Sequence, residues 1–195
     1  MAYYMPEAES KRRVSIPVET IRQIQQSCME HDDDMRWLIA LISDTGMRLA
    51  EAAGLHVDDI KLDEDIPYVD IKPHPWRSLK TKGSQRQVPL VGASLWAAHR
   101  IRANASSCFA FPRYTDNTRC NANSASNALN KWLHANFRKD IVIHGFRHAM
   151  RDRLRAVSCP SEMIDQIGGW SSGKVGEGYG EGFDLRFVVN CLEQI

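Results

Sequence analysis

Apolar positions in the first part of the chain recur at helical spacing. Val18, Ile21, Ile24 and Cys28, after the opening Ile16-Pro17-Val18, predict a helix over 15–30. Asp32, Asp33 and Asp34 suit the positive end of a helix dipole, and Met35, Leu38, Ile39 and Ile42 carry the next helix to Asp44-Thr45-Gly46. A further helix, 48–55, follows the glycine. From Asp59 the pattern changes: Ile60, Leu62, Ile66, Tyr68, Val69 and Ile71, set among acids and Pro67, predict short β-strands. Pro73-His74-Pro75 punctuates them. Residues 79–90 read as a hairpin, with Lys82-Gly83-Ser84 at the turn and a second strand over 85–89. Helical spacing returns at 94–102, 124–136, 144–157 and 160–167, before a glycine-rich connection over 168–182. In 183–195, Leu185, Val188, Val189, Leu192 and Ile195 share one face, which suits packing in cis and docking on a second copy about equally. The class is mainly α with a small antiparallel β-sheet, an α+β arrangement without internal repeats.

Length and composition narrow this to one folded domain. At 195 residues, 43% hydrophobic and 25% charged, the chain can fill a core, which excludes intrinsic disorder and low-complexity scaffolds. No apolar stretch approaches the ~20 residues a bilayer crossing needs. The segment MAYYMPEAESKRR lacks the apolar core of a signal peptide, so a cytoplasmic protein without membrane partners is expected. Five cysteines without CxxC spacing argue against a disulfide framework and a zinc site. No metal or other cofactor is expected.

Charge changes the picture more. The formal net charge is +1, yet residues 1–70 hold 15 acidic against 7 basic residues, and 71–155 hold 16 basic against 3 acidic. Residues 156–195 hold 6 acidic against 2 basic. The basic middle is the footprint of a polyanion-binding protein, because each neutralised phosphate releases condensed counterions.

Four short patterns carry candidate chemistry. Arg48 follows a glycine turn in TGMRLAEAAGL, with Glu51 one helical turn on to orient its guanidinium. His144 and Arg147, in HGFRH, stand three apart at a helix start. Trp170 closes IGGW, and Tyr179 follows nine residues later among glycines. LKTKGSQRQVPL offers Lys80 and Lys82 on a mobile turn. Each pattern alone is weak.

Together, in this order and spacing, they resemble the catalytic domain of the tyrosine site-specific recombinases, the phage integrase family, from about Ile16 to Ile195. The resemblance implies that family's DNA breaking-rejoining fold over 16–195, after a tail or linker at 1–15. Members usually carry an additional N-terminal core-binding domain. Without it, the expectation is a catalytic fragment of a longer integrase or a truncated gene. The resemblance also implies roles. Tyr179 matches the nucleophile that forms a 3′-phosphotyrosyl link and releases a 5′-hydroxyl. Arg48 and Arg147 match the pair that clamps the non-bridging oxygens, and forked guanidiniums can stabilise that charge without a metal. His144 matches the residue assisting proton movements at the nucleophile. Trp170 stands where members have histidine or tryptophan; it donates one N–H and cannot shuttle a proton. Lys80 is preferred as general acid to the departing 5′-oxygen, with Lys82 as the alternative, and Glu51 supports Arg48. Lys72, Arg77, Arg86 and Arg151, from the basic segment, are expected to bind DNA.

The implied function is site-specific integration or recombination by a bacterial, prophage-encoded enzyme. A phosphotyrosyl ester is close in free energy to the diester it replaces, so the reaction runs reversibly without ATP. Implied partners are double-stranded DNA attachment sites, DNA-bending accessory proteins, and three further copies in a homotetramer on synapsed DNA, the free protein being a monomer. A type IB topoisomerase would use the same chemistry as a monomer, and a non-catalytic prophage remnant would bind DNA without forming an adduct.

Overall fold

The first helix forms where the apolar spacing begins. In the computed structural model, which describes residues 15–170 and 182–195, α1 (Val18–His31) buries Ile21, Ile24 and Cys28 along one stripe. It stops at Asp32, whose left-handed backbone (φ 46) turns the chain and whose carboxylate accepts from Trp37 Nε1 (2.7 Å) and Arg100 Nε (2.8 Å). Asp33 then caps α2 (Asp34–Thr45), accepting the Arg36 backbone N–H at 3.0 Å, one of the orphan donors of a helix start. The acidic triplet thus ends one helix and begins the next. Every residue from Leu38 to Thr45 is buried, because α2 packs against α1, α4 (Gly92–Ala103) and α6 (Ile143–Ala156) at once.

Burial along all of α2 forces a solution for its polar residues. Asp44, 5% exposed, accepts from Gln25 Nε2 (2.8 Å), the Ala93 backbone N–H (2.9 Å) and Arg153 Nη2 (3.0 Å). Arg153 also donates to the Ser43 carbonyl at 2.9 Å. One carboxylate faces one guanidinium, so this buried pair balances its charge.

After Gly46, α3 (Leu49–Ala53) is shorter than the predicted 48–55 because the chain leaves the helix at Gly54. β1 (Ile60–Lys61), β2 (Tyr68–Ile71) and β3 (Arg86–Pro89) form an antiparallel sheet in that order, with Val69 opposite Val88. The predicted 79–90 hairpin is corrected here. The strand partner of β3 is β2, and Lys82–Ser84 form a single 3-10 turn late in the 72–85 excursion between them. Register is set by the core: Val69, Ile71 and Val88 are all fully buried, whereas Lys80 and Thr81 are exposed.

The helices α5 (Ala122–Asn136), α7 (Ser161–Gly168) and α8 (Leu185–Leu192) complete the described residues. α8 packs in cis on β3 with Val188 and Leu192 buried, and Phe187 (63% exposed) points outward. Gln166 of α7 accepts the Phe183 backbone N–H (2.8 Å) and donates to its carbonyl (3.0 Å), so the chain re-enters beside the helix it left. Tyr179 lies outside the described residues.

Candidate active site

Arg48 precedes the first turn of α3, and Glu51 in that turn serves it twice. The Arg48 backbone N–H donates to Glu51 Oε2 (2.9 Å), capping the helix, and its Nη1 donates to Oε1 (2.7 Å). Nη1 also reaches Ser84 Oγ (3.3 Å), and Nη2 donates to the Gly169 carbonyl (3.0 Å). Three segments, two of them distant in sequence, therefore fix one guanidinium.

Glu51 is 3% exposed and also accepts from Arg86 Nη2 at 2.9 Å. Burial pushes its carboxyl upward, but the Arg86 charge and the hydrogen bonds from Arg86 and Arg48 outweigh that and hold it below the usual range. Both oxygens stay acceptors.

Arg147 enters from α6. Its Nη1 donates to the Gly46 carbonyl (2.7 Å), while its buried Nη2 has no hydrogen-bond partner among the described residues. The guanidinium lies 4.4 Å from the centre of the Trp170 ring, which also carries Arg151 at 5.0 Å. Burial, with repulsion from Arg48 and Arg86, lowers Arg147 to about 9. Three guanidiniums surround one carboxylate, and among the described residues one of their buried donors is left without an acceptor. An anion fits such a place.

The two glycines of IGGW are steric requirements. A Cβ at Gly168 would lie 1.9 Å from the Trp170 ring, and one at Gly169 would lie 2.7 Å from Arg86 Nη1. Gly169 also takes the left-handed backbone (φ +58) that ends α7 and turns its carbonyl to Arg48. Gly46 (φ +61) does the corresponding work for Arg147 at the end of α2, and a Cβ there would meet Met150 at 2.9 Å.

The structure thus brings Arg48, Glu51, Arg147 and Trp170 together. His144 is exposed at the start of α6, its ring edge-on to His148 at 4.9 Å. Lys80 is exposed, and Lys82 begins the 3-10 turn next to Ser84, whose hydroxyl touches both Arg48 and Thr81.

Two expected DNA contacts are corrected. Arg77 is buried, packed on Gly54, and donates to the Glu51 and Lys72 carbonyls. Arg86 is buried, and Ile167, Ser84 and Glu51 take its donors. Neither is placed to lie on a duplex, because each guanidinium is buried and aimed at interior acceptors. Lys72 is bridged to Asp59 (3.1 Å) and Asp70 (3.2 Å), and Arg151 pairs with Asp165 (3.1 Å) beside Trp170. Sequence reasoning missed Ser84 and the Gly46 and Gly169 carbonyls. A hydroxyl two residues before Arg86 was the legible signal, and carbonyls leave none.

Among the described residues, no group of three or more His, Cys, Asp or Glu could hold a metal ion, and no helix is long and apolar enough to cross a membrane. The sequence model of the phage integrase family matches residues 15–182. The XerC tyrosine recombinases of Neisseria meningitidis serogroup B and serogroup C are 30% and 29% identical to this chain over 140 residues, 69% of it and 43% of each relative. The chain therefore spans less than half the length of those relatives. The Tn1549 transposon integrase, solved with circular intermediate DNA, superimposes with a TM-score of 0.63 at 15% identity, covering 95% of this chain and 62% of that one. XerA recombinase gives 0.61 at 17% identity, covering 87% and 58%. The structural likenesses establish the fold. The family match spans all but the last residues of the arrangement described above, and on it this chain belongs to the phage integrase family.

Proposed function

We propose that this chain is the strand-cutting and rejoining part of a site-specific DNA recombinase, acting through a 3′-phosphotyrosyl intermediate. The observation that carries this reading is the charge around Glu51 that the described residues leave uncompensated, with Arg147 Nη2, which has no hydrogen-bond partner among them, buried there. A phosphodiester supplies what is missing: two non-bridging oxygens that accept from Arg48 and Arg147. Negative charge grows on those oxygens as the phosphorus becomes five-coordinate, so donors fixed in advance act most strongly at the transition state.

In this reading Tyr179 attacks the phosphorus and displaces the 5′-oxygen, which takes a proton from Lys80 or, as the alternative, Lys82. His144, at the exposed start of α6, helps remove the tyrosine proton. Trp170 packs Arg147 through its ring face and transfers no proton. Attack of a 5′-hydroxyl on the phosphotyrosyl ester reverses each step. The double-stranded DNA is read as an attachment site, with Arg151 contacting its backbone. Recombination takes place in a homotetramer, and DNA-bending accessory proteins and a core-binding domain complete the clamp.

The experiment is adduct capture. The protein is incubated with a random-sequence library of nicked duplexes in EDTA, and denaturation-resistant complexes are mapped by mass spectrometry. The expected product is DNA on Tyr179, absent from Tyr179→Phe. An adduct on another tyrosine overturns the nucleophile. The absence of any adduct, with DNA binding retained, overturns the enzymatic reading. Strand exchange between two captured sites, as opposed to relaxation of supercoiled plasmid, distinguishes a recombinase from a topoisomerase.

A further inference from the structure

We infer that Arg86 is the positioning residue of the phosphate clamp: its one guanidinium locks β3, α3 and α7 into the arrangement in which Arg48 can grip an anion. The inference rests on the reading above and assigns the clamp's geometry to a residue that never meets the substrate.

Each donor of Arg86 goes to a different segment. Nη2 holds Glu51 Oε2 on α3 (2.9 Å), Nε holds the Ile167 carbonyl in the last turn of α7 (2.8 Å), and Nη1 holds the Ser84 carbonyl before β3 (2.7 Å). Those are the segments that carry, respectively, the partner of Arg48, the Gly169-Trp170 pair, and the candidate lysines. The guanidinium lies directly beneath Gly169, whose carbonyl accepts from Arg48. Moving Arg86 therefore moves two of the groups that aim Arg48.

A side chain serving only as glue need not be an ion. Replacing a buried ion pair by apolar residues of similar volume is often neutral or stabilising. Arg86 provides what an apolar residue cannot. Its charge and hydrogen bond oppose the burial of Glu51, keeping that carboxylate ionised with both oxygens accepting. Its planar fork also sends donors in three fixed directions, whereas a lysine in its place presents one compact ammonium.

The test compares Arg86→Gln, Arg86→Lys, Glu51→Gln and the Arg86→Gln/Glu51→Gln double variant, each read by DNA affinity at fixed salt, single-turnover cleavage of a nicked duplex, and the pH profile of cleavage. Arg86→Gln is expected to keep DNA affinity within about threefold, cut cleavage about 100-fold, and move the acid limb of the profile to higher pH. The double variant is expected to lose less than the product of the two single losses, because part of the effect of Arg86 runs through Glu51 and part through the Ile167 and Ser84 carbonyls. Arg86→Lys retains the charge beside Glu51 but gives up carbonyl ties. It is expected to cleave slowly with the acid limb near that of the parent, and it carries the test if Arg86→Gln does not fold. Losses that multiply in the double variant, or an acid limb unmoved in Arg86→Gln, overturn the inference. Inorganic phosphate binding, followed by calorimetry, separates this failure from that of the parent reading. A parent that binds phosphate but forms no DNA adduct, with phosphate binding about tenfold weaker in Arg86→Gln, leaves the positioning role standing and removes the enzymatic one.

Discussion

Asp44 and Glu51 lie seven residues apart on either side of one glycine turn, each buried and each paired with arginine, yet they solve opposite problems. Asp44 meets one guanidinium, that of Arg153, together with the Gln25 amide and the Ala93 N–H. Glu51 meets Arg48 and Arg86 directly, and Arg147 feels both of those cations. Among the described residues the first cluster is electrically closed and the second open. Burial of charge is therefore not itself the mark of a site. An imbalance that a ligand can correct is a better one.

The sharpest way to break this contrast is to remove one arginine from each cluster. Arg147→Ala is expected to lower single-turnover cleavage by about 1,000-fold, with salt-dependent DNA binding largely retained, because one preorganised donor to a developing anion is worth that much. Arg153→Ala is expected to destabilise the fold by about 3–5 kcal/mol in denaturant unfolding, leaving a carboxylate buried without its ion, while folded molecules cleave normally. If Arg153→Ala abolished cleavage at unchanged stability, the two clusters would not be separate.

Removing the carboxylates comes next. Glu51→Ala and Asp44→Ala are each expected to destabilise by about 3–5 kcal/mol. High phosphate should restore about 1–2 kcal/mol to Glu51→Ala, where an anion can stand in for the lost charge, and nothing to Asp44→Ala. Thermal melts with and without phosphate measure the difference.

Glycine substitutions give a smaller effect. Gly169→Ala and Gly92→Ala both put a side chain on a left-handed residue (φ +58 and +47) and press on Arg86 and Asp44 respectively. Each is expected to destabilise by about 1–3 kcal/mol, with only Gly169→Ala slowing cleavage of the folded protein. The smallest signal is in pH. Glu51 has a folded value below its unfolded one, so its contribution is present above the unfolded carboxylate range and is lost as pH falls through the folded value. Glu51→Gln should flatten that acid loss in a stability–pH series.

The sequence was informative wherever periodicity or residue type acts locally. Ile21, Ile24 and Cys28 face inward as their spacing requires, and Asp33 caps α2. Arg48 and Glu51 are three apart, so local geometry already forces their meeting. The supposed 79–90 hairpin failed because strand partners are chosen by which apolar residues bury together, and Ile71 and Val88 outbid a turn signal at Lys82-Gly83-Ser84. Arg77 and Arg86 failed differently. Charge counts treat every arginine as surface, and only the fold shows that their donors end on interior carbonyls. The sequence could name Arg48 and Arg147. It could not show that Gly46 and Gly169 carbonyls, 123 residues apart, aim them.

The 72–85 excursion has a mechanical consequence. Arg77 fastens one side of it to the protein interior and Leu79 packs against the core, while Ser84 and Arg86 fasten the other side. The span between those anchors is only 80–83, roughly 14 Å of chain at about 3.4 Å per residue, and the Ser84 N–H bonded to the Thr81 carbonyl shortens it further. Lys80 begins that span, one residue before the hydroxyl that meets Ser84. An amine on so short a tether is presented beside the clamp at an effective concentration in the millimolar range or above.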